Sequence, residues 1–140
     1  MNTETPPSPS SGPDHDPFAQ AYPEHLAFWQ AAEQGKLVLP TCPSCGEPHW
    51  YPRVICPLCG STEIEWREAS GEGMLHAFSV MRRVDEPYVV AYVRLLEGPI
   101  LLTNIHVDSA SNLHIDQPVR VSFMRTSEGR CVPIFSPIQQ

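Results

Sequence analysis

Four cysteines form two matched pairs, Cys42 with Cys45 and Cys56 with Cys59, and ten residues separate the pairs. Each pair is spaced CxxC and is followed by a glycine. Two such turns can bring four thiolates around one ion at a metal–sulfur distance of about 2.3 Å. Four thiolates leave no coordination position for water, so the pattern predicts a closed structural Zn²⁺ site with these four cysteines as ligands.

Other interpretations of the cysteines stay open at this point. A single iron in a rubredoxin-like electron-transfer site also suits tetrahedral sulfur, although the short gap between the pairs favours a zinc ribbon. Two disulfides would need an oxidising compartment, and the N-terminus lacks the basic start and apolar run of a secretory signal. His49 lies between the pairs and could replace one thiolate, but with four cysteines available we predict a surface position on the ribbon.

The sequence contains none of the catalytic motifs that an enzyme of a common class would show. It contains no GxSxG nucleophile turn and no glycine-rich phosphate loop, and none of its six histidines stands at metal-ligand spacing from another. The fifth cysteine, Cys131, falls in a predicted strand, where a small buried apolar role is favoured over a reactive thiol. We therefore assign no catalytic residue.

Composition restricts the classes of partner. The chain has 140 residues, a formal net charge of −7 and one lysine, Lys36, among its nine basic residues. This balance disfavours a broad electrostatic grip on nucleic acid, which needs clustered positive charge. No apolar run approaches the roughly 20 residues of a membrane span. We expect a soluble, cytoplasmic protein that binds neither membranes nor nucleic acid.

The elements that would position the cysteines are read from the changes in pattern along the chain. Residues 1–17 are rich in proline, serine and acidic side chains and predict a disordered tail. Tyr22-Pro23 before EHLAFWQAAEQ, and Gly35 after it, predict a helix of about three turns. Its Phe28 and Trp29 either pack on the chain's own core, which we favour, or cover a ligand or another subunit.

The remaining segments read as short strands. KLVLPT, HWYPRVI and TEIEWREA predict strands around the two cysteine turns. Five further strand-like runs, with an irregular or one-turn helical break between the third and fourth, predict a small closed barrel of the OB-fold type. An SH3-like barrel and an open meander are the alternatives. The predicted class is mainly β, with the helix and zinc ribbon over residues 18–70 and the OB-fold domain over residues 71–140.

Several segments in succession resemble one known family. FWQAAEQGKLVLPTCPSCGEPHWYPRVICPLCG, EWREASGEGMLHAFSVMRR and PYVVAYVRLLEGPILLTNI match its order and spacing, over roughly residues 24–137. The family has a rubredoxin-like zinc ribbon followed by an OB-fold and is catalogued as domain of unknown function thirty-five. The cysteine pairs alone occur in many ribbons, whereas the helix, the SGEG segment and the EGPILLTN segment in this order are more specific.

The resemblance implies a role beside an enzyme. Family members are associated with thiolase-like proteins or hot-dog-fold hydratases that handle acyl-CoA thioesters, in some cases from steroid side chains, and the partner carries the catalytic residues. It implies an accessory subunit, not catalytic alone, in a hetero-oligomer. Because arginine binds phosphate with two-pronged geometry, we predict that Arg82 and Arg83 contact the phosphates of CoA or an acidic patch on the partner.

Two other functions remain as alternatives. Zinc ribbons and OB-folds also occur in proteins that bind single-stranded nucleic acid, and Phe78, Tyr88 and Tyr92 could stack on bases if they face outward. Strand alternation predicts that many of these rings lie inside the barrel instead. Electron transfer through iron at the cysteine cage is the third possibility.

Overall fold

The computed structural model describes residues 13–138. It contains short N-terminal helices, a small two-stranded sheet that carries the cysteine turns, and a closed barrel of five strands. The predicted mainly β class is confirmed, with the ribbon before the barrel. No helix within residues 13–138 has the length and apolar character needed to cross a membrane.

The N-terminal segment is folded against the rest of the chain. Residues 13–17, which fall in the tail predicted from composition, begin this segment, while residues 1–12 lie outside the described residues. Asp16 caps the first helix by accepting a hydrogen bond of 2.9 Å from the backbone N–H of Phe18. The elements in chain order are a 3₁₀ turn Pro13–His15, helix α1 Pro17–Ala21, a 3₁₀ turn Pro23–His25 and helix α2 Leu26–Glu33.

The helix predicted before Gly35 is confirmed, although its first turn is 3₁₀. Proline at position 23 suits a helix start because its missing N–H has no partner there in any case. Gly35 has a φ of +73°, the left-handed conformation that ends helices. The chain then enters the ribbon directly.

The ribbon contains two of the three predicted strands. Strands β1, Val38–Thr41, and β2, Glu65–Glu68, pair in antiparallel register, with Leu39 opposite Arg67. The prediction of a third strand at HWYPRVI is wrong. That segment runs as irregular loop, with one isolated bridge between Thr41 and Pro48.

Five strands close the barrel in the order β3-β4-β5-β7-β6. A single 3₁₀ turn at Ala110–Asn112 stands between the third and fourth barrel strands, where the sequence predicted a break. The OB-fold prediction is therefore confirmed in strand number and in the position of the break. The strands are β3 Glu72–Met81, β4 Tyr88–Leu95, β5 Ile100–Ile105, β6 Pro118–Arg125 and β7 Cys131–Pro137.

One apolar core joins the helix, the ribbon and the barrel. Alternate strand residues point inward, so that Leu75, Val93 and Phe135 are fully buried at its centre. Phe28 of α2 and Leu39 of β1 belong to the same cluster. Because the parts share a core, the ribbon is held against the barrel by packing as well as by the chain.

The SGEG and EGP segments meet where the ribbon becomes the barrel. The carboxylate of Glu97 accepts a 2.8 Å hydrogen bond from the backbone N–H of Ser70. A Cβ at Gly73 would lie 2.5 Å from the carbonyl oxygen of Arg94, so the close approach of β3 and β4 at this point needs glycine. The SGEG and EGP segments, the most specific motifs of the sequence, thus contact each other at the junction of ribbon and barrel.

Candidate metal centre and aromatic groove

Two matching turns present the four cysteines. The backbone N–H of Gly46 donates to the carbonyl of Cys42 (2.7 Å), and that of Gly60 donates to the carbonyl of Cys56 (2.9 Å). Both glycines have positive φ, +76° and +80°, which non-glycine residues rarely adopt. The repetition of glycine after each CxxC pair therefore produces two copies of one turn that face each other.

The four sulfur atoms lie at distances that suit one metal ion. The Sγ atoms of Cys42 and Cys59 are 3.5 Å apart, and those of Cys45 and Cys56 are 3.8 Å apart. All four lie within 4.8 Å of one another. A tetrahedron with metal–sulfur bonds of about 2.3 Å has edges of about 3.8 Å. The four cysteines predicted from the sequence are thus positioned for a metal ion, and zinc fits their number, chemistry and spacing.

The protonation of the thiols shows why the cluster suits a cation. The backbone N–H of Cys45, helped by the sulfur of Cys59, lowers the pKa of Cys42 to about 6. The Ser61 backbone N–H lowers the pKa of Cys59, but the Cys42 sulfur, burial and the remaining cysteines together raise it to about 12. One sulfur readily carries negative charge and another resists it, because four thiolates this close repel one another unless a cation lies between them.

The prediction that His49 lies on the surface is wrong. Its side chain is buried, and neither ring nitrogen has a hydrogen-bond partner among the described residues. Burial, followed by the charge of Arg53, lowers its pKa and keeps the imidazole neutral. His49 is not a member of the cysteine cluster, so it does not replace a thiolate.

The predicted arginine site falls on an exposed loop. Arg82 and Arg83 follow the last residue of β3, and both side chains are exposed. By contrast, Arg125 donates to Glu33 at 2.9 Å, and Arg130 donates to Asp16 at 2.6 Å. The arginines at the β6–β7 turn therefore bind the N-terminal segment, a role that the sequence did not indicate.

Cys131 behaves as a half-buried structural thiol. Its Sγ donates a hydrogen bond of 3.2 Å to the carbonyl oxygen of Ala32 at the end of α2. Burial and the charge of Glu33 raise its pKa, which disfavours the reactive thiolate.

A chain of aromatic rings covers one side of the barrel. Phe28 contacts Trp29 and Trp50, with ring centroids 5.0 and 4.9 Å apart, and Tyr51 packs edge-on against His25 at 4.5 Å. These rings come from α2, from the turn before it and from the loop at HWYPRVI, for which the sequence predicts a third ribbon strand. The loop thus places Trp50 and Tyr51 in ring contacts instead of in a strand pair.

Between the rings and the barrel lies a groove of about 580 Å³, which we call the aromatic groove. Its other wall is formed by residues 100–104 of β5 and by Val132 and Pro133 of β7. All of its lining residues are uncharged, including His25, because burial lowers the pKa of that imidazole. Such a volume is in the range of ligand-binding clefts.

The aromatic residues of the barrel strands divide between its two faces. Tyr88 and Tyr92 lie on the outer face of β4 and are 45% and 48% exposed. Phe78 pairs across from Ala91 and packs against the core. Of the three rings that the sequence offered for base stacking, two are accessible.

Comparison with known proteins agrees with these features. The family model described as the ChsH2 rubredoxin-like zinc ribbon domain matches residues 29–65, and that of the ChsH2 C-terminal OB-fold domain matches residues 66–124. The chain is 33% identical over 117 residues to a probable enoyl-CoA hydratase alpha subunit of Thermomonospora curvata. That match takes in 79% of this chain but only 37% of the relative, so the chain spans well under half of that protein.

A shorter relative and two solved structures cover more of their own length. A DUF35 domain-containing scaffold protein of Methanothermobacter thermautotrophicus is 33% identical, over 62% of this chain and 71% of the relative. A chain of the Ltp2–ChsH2(DUF35) aldolase superposes with a TM-score of 0.74 and 30% identity, over 81% of this chain and 93% of that one. A DUF35-family protein of unknown function from Sulfolobus solfataricus shares the fold at 16% identity, over 86% and 92% of the two chains, with a TM-score of 0.61. This chain belongs to the DUF35 family of proteins with a rubredoxin-like zinc ribbon and an OB-fold.

Proposed function

We propose that this chain is a zinc-bearing accessory subunit that docks on an enzyme of acyl-CoA metabolism. The observation that carries the proposal is its likeness to the DUF35 chain of the Ltp2–ChsH2 aldolase, across 93% of that chain. The names of the other relatives, a hydratase alpha subunit and a scaffold protein, point in the same direction. The partner would be a thiolase-like aldolase or thiolase, or a hydratase. CoA thioesters formed during the degradation of steroid side chains are among its candidate substrates.

The zinc ion would act as a structural clamp. Cys42, Cys45, Cys56 and Cys59 would hold it, and their spacing supports this assignment. When bound, a four-thiolate zinc ion supplies folding energy and no open position for chemistry. The two cysteine turns and the loop between them, which carries Trp50 and Tyr51, would therefore keep their shape only in the metal-bound protein.

The rest of the chain would present surfaces to the partner. The helices, ribbon and barrel share one core, so a contact made by any part is held rigidly with respect to the others. A rigid subunit can position groups of a partner's active site and exclude water from it without supplying a catalytic residue. We propose this division of work for the complex.

Arg82 and Arg83 are proposed to bind phosphate groups of CoA at the shared boundary. Both are exposed, and no hydrogen bond or ion pair within residues 13–138 engages either side chain. An arginine without an internal partner is available for two-pronged contact with a phosphate. An acidic patch on the partner is the other ligand that this chemistry would accept.

The test is isolation of the complex. Affinity-tagged full-length chain would be purified from its native host, and proteins that co-elute at fixed stoichiometry would be identified by mass spectrometry. The identified enzyme would then be co-expressed with and without this chain, and its acyl-CoA turnover measured. Stable association at a fixed stoichiometry and a dependence of turnover on this chain would support the proposal. Turnover that is the same without the chain, or thioester turnover by the chain alone, would contradict it.

A second candidate function is binding of single-stranded nucleic acid. The observation that favours it is the exposure of Tyr88 and Tyr92 on the outer face of β4, where bases could stack. The net charge of −7 opposes it, because phosphate backbones require positive charge. Fluorescence anisotropy with a labelled oligothymidylate at low salt would detect such binding, and the leading proposal predicts no change in anisotropy.

A further inference from the structure

The second cysteine turn carries the most exposed large apolar side chains of the described residues. Val54 and Leu58 are 69% and 64% exposed, the two highest values within residues 13–138, and Ile55 between them is 51% exposed. None of the three belongs to the apolar core or packs against it. Single exposed apolar residues are common on protein surfaces, whereas a group of them in one place marks a contact surface. We call these three residues the knuckle patch.

Comparison with the first cysteine turn shows that the fold does not require this patch. The two turns share the sequence Cys-Pro-x-Cys-Gly and the same closing hydrogen bond, but Ser44 stands in the first turn where Leu58 stands in the second. Thr41, which precedes the first turn, is buried, whereas Ile55 at the matching position of the second turn is exposed. A polar residue therefore completes such a turn equally well, and the exposed apolar side chains have no packing role within the described residues.

Hydrogen bonds hold the knuckle patch in a fixed conformation. The backbone N–H of Leu58 donates to the Sγ atom of Cys56 (3.4 Å), and the N–H of Cys56 donates to the carbonyl of Ser61 (2.8 Å). The hydroxyl of Ser44 donates to that of Ser61 (3.2 Å) and links the two turns. Because this backbone is fixed before any partner binds, a contact made by the patch costs little conformational entropy.

One cation stands beside the patch. Residues 48–62 contain a single lysine or arginine, Arg53, and no aspartate or glutamate. Arg53 is exposed, and its guanidinium bonds no carboxylate and no cysteine sulfur within residues 13–138. Four other arginines each pair with a carboxylate of the chain, namely Arg67, Arg120, Arg125 and Arg130. An apolar surface with one unpaired positive charge beside it complements an apolar concavity that has a carboxylate at its rim.

We propose that the knuckle patch docks into an apolar concavity of the partner enzyme, with Arg53 paired to a carboxylate at the rim of that concavity. This inference rests on the proposed function and assigns to it the contact between the two proteins. A few side chains seated in a partner's pocket supply most of the affinity of a protein interface, and charges at the rim add selectivity. The second cysteine turn would thus serve recognition as well as folding.

Other occupants fit the patch less well. Residues 1–12 of this chain contain one large apolar side chain, Met1, which is too little to cover three. Two copies of the chain, each with a net charge of −7, repel one another. An anionic lipid surface attracts clusters of several lysines or arginines, whereas Arg53 stands alone in this segment.

Leu58→Ser is the decisive variant. It gives the second turn the sequence Cys-Pro-Ser-Cys-Gly, which the first turn already has, so zinc content and melting temperature should stay at their wild-type values. The affinity for the co-purified enzyme, measured by biolayer interferometry, should fall by at least about tenfold, because the interface loses the buried surface of a leucine. Leu96→Ser, at a side chain 63% exposed between β4 and β5, should bind as wild type does.

Two further measurements locate the contact. A photo-reactive p-benzoylphenylalanine at position 58 should cross-link to the enzyme, and the same group at position 96 should not. Arg53→Glu should weaken binding, with a loss that lessens as salt screens the new repulsion. Arg120→Glu, at an exposed position of the barrel, changes the net charge by the same amount and should leave the affinity for the enzyme unaltered.

The outcomes distinguish a wrong docking surface from a wrong function. If Leu58→Ser fails to bind zinc, Ile55→Thr, which copies Thr41 of the first turn, tests the same patch. An enzyme that binds the zinc-loaded variant as tightly as wild type would overturn the inference and leave the accessory role intact. Cross-links from position 58 to a second copy of this chain, or flotation with phosphatidylglycerol vesicles that Leu58→Ser abolishes, would also overturn it. If no enzyme associates with the chain at all, the proposed function fails, and this docking surface fails with it.

Discussion

Arg130 and Asp16 lie 114 residues apart in the chain and are joined by two hydrogen bonds, of 2.6 and 3.0 Å, between guanidinium and carboxylate. The same guanidinium lies 4.4 Å from the ring centroid of Phe18, which lines the aromatic groove. A second ion pair, Arg125 with Glu33, ties α2 to the end of β6. The N-terminal helices are thus fixed on the β6–β7 hairpin, and one side of the groove depends on this fixation.

We expect Asp16→Asn to loosen the N-terminal segment. The change keeps the size of the side chain but removes the charge that binds Arg130, so the free energy of unfolding should fall by about 1 kcal/mol. Urea unfolding followed by tryptophan fluorescence measures this loss. Arg120→Ala breaks an ion pair whose partners are 62% and 39% exposed and should change stability by no more than about 0.5 kcal/mol. Equal effects of the two variants would contradict a special role for Arg130 and Asp16.

The same ion pair predicts a dependence on pH. The hydrogen bond from Arg130 is the main cause that lowers the pKa of the Asp16 carboxyl below its ordinary value. Its contribution is therefore complete above the pKa of an unpaired carboxyl, near 4, and is lost as the pH falls through the lower folded value. The difference in stability between wild type and Asp16→Asn should be constant from about pH 5 to 8 and shrink in more acidic solution. A difference that grows on acidification would contradict the assignment.

Removal of a metal ligand should unfold the ribbon. Cys42→Ser and Cys59→Ser are each expected to lose the bound ion and much of the roughly 10–16 kcal/mol that such sites supply to small zinc modules. Zinc per chain by inductively coupled plasma mass spectrometry, together with circular dichroism, gives the readout. Cys131→Ser is the matched control, because its hydroxyl can still donate to Ala32 and it lies outside the cysteine cluster. One zinc per chain in Cys59→Ser would contradict the four-cysteine site.

The sequence was sufficient for the metal cluster because local rules determine it. Two CxxC pairs with a following glycine specify the turns, and their short separation brings the turns together. The barrel strands were also predictable, since alternation along segments such as YVVAYVRL separates an inner from an outer face. These features depend on residues close in sequence, and the structure agrees with them.

The aromatic groove could not be predicted in the same way. HWYPRVI has the composition of a strand, but Trp50 and Tyr51 are drawn out of pairing by contacts with His25 and Phe28, which lie more than twenty residues earlier. The contact between Asp16 and Arg130 likewise joins the two halves of the chain.

Stability should be sensitive to a single methyl group at Gly73, the second glycine of the SGEG segment. Gly73→Ala would place a Cβ 2.5 Å from the Arg94 carbonyl and 2.9 Å from Val93, both fixed by the β3–β4 ladder. The strands must separate to admit it, so we expect a loss of about 1–3 kcal/mol in the free energy of unfolding. Thermal unfolding by circular dichroism measures the loss. Ser79→Ala, at an exposed position of the same strand, should be nearly neutral, and a neutral Gly73→Ala would show that β3 and β4 are not packed this closely.

Reversal of the two loop arginines tests whether CoA contacts this chain. The double variant Arg82→Glu, Arg83→Glu leaves the barrel unaltered, because both side chains are exposed. It replaces two guanidinium groups that could donate to phosphate with carboxylates, which repel phosphate. The affinity of a CoA thioester for the assembled complex should fall by about tenfold or more, and the loss should lessen as salt screens the repulsion. Isothermal titration of the complex with acetyl-CoA gives both values. Arg67→Glu together with Arg120→Glu, at two exposed positions outside this loop, gives the same change in net charge and serves as the control. If acetyl-CoA binds the double variant as tightly as wild type while the enzyme binds more weakly, these arginines contact the partner and not the cofactor.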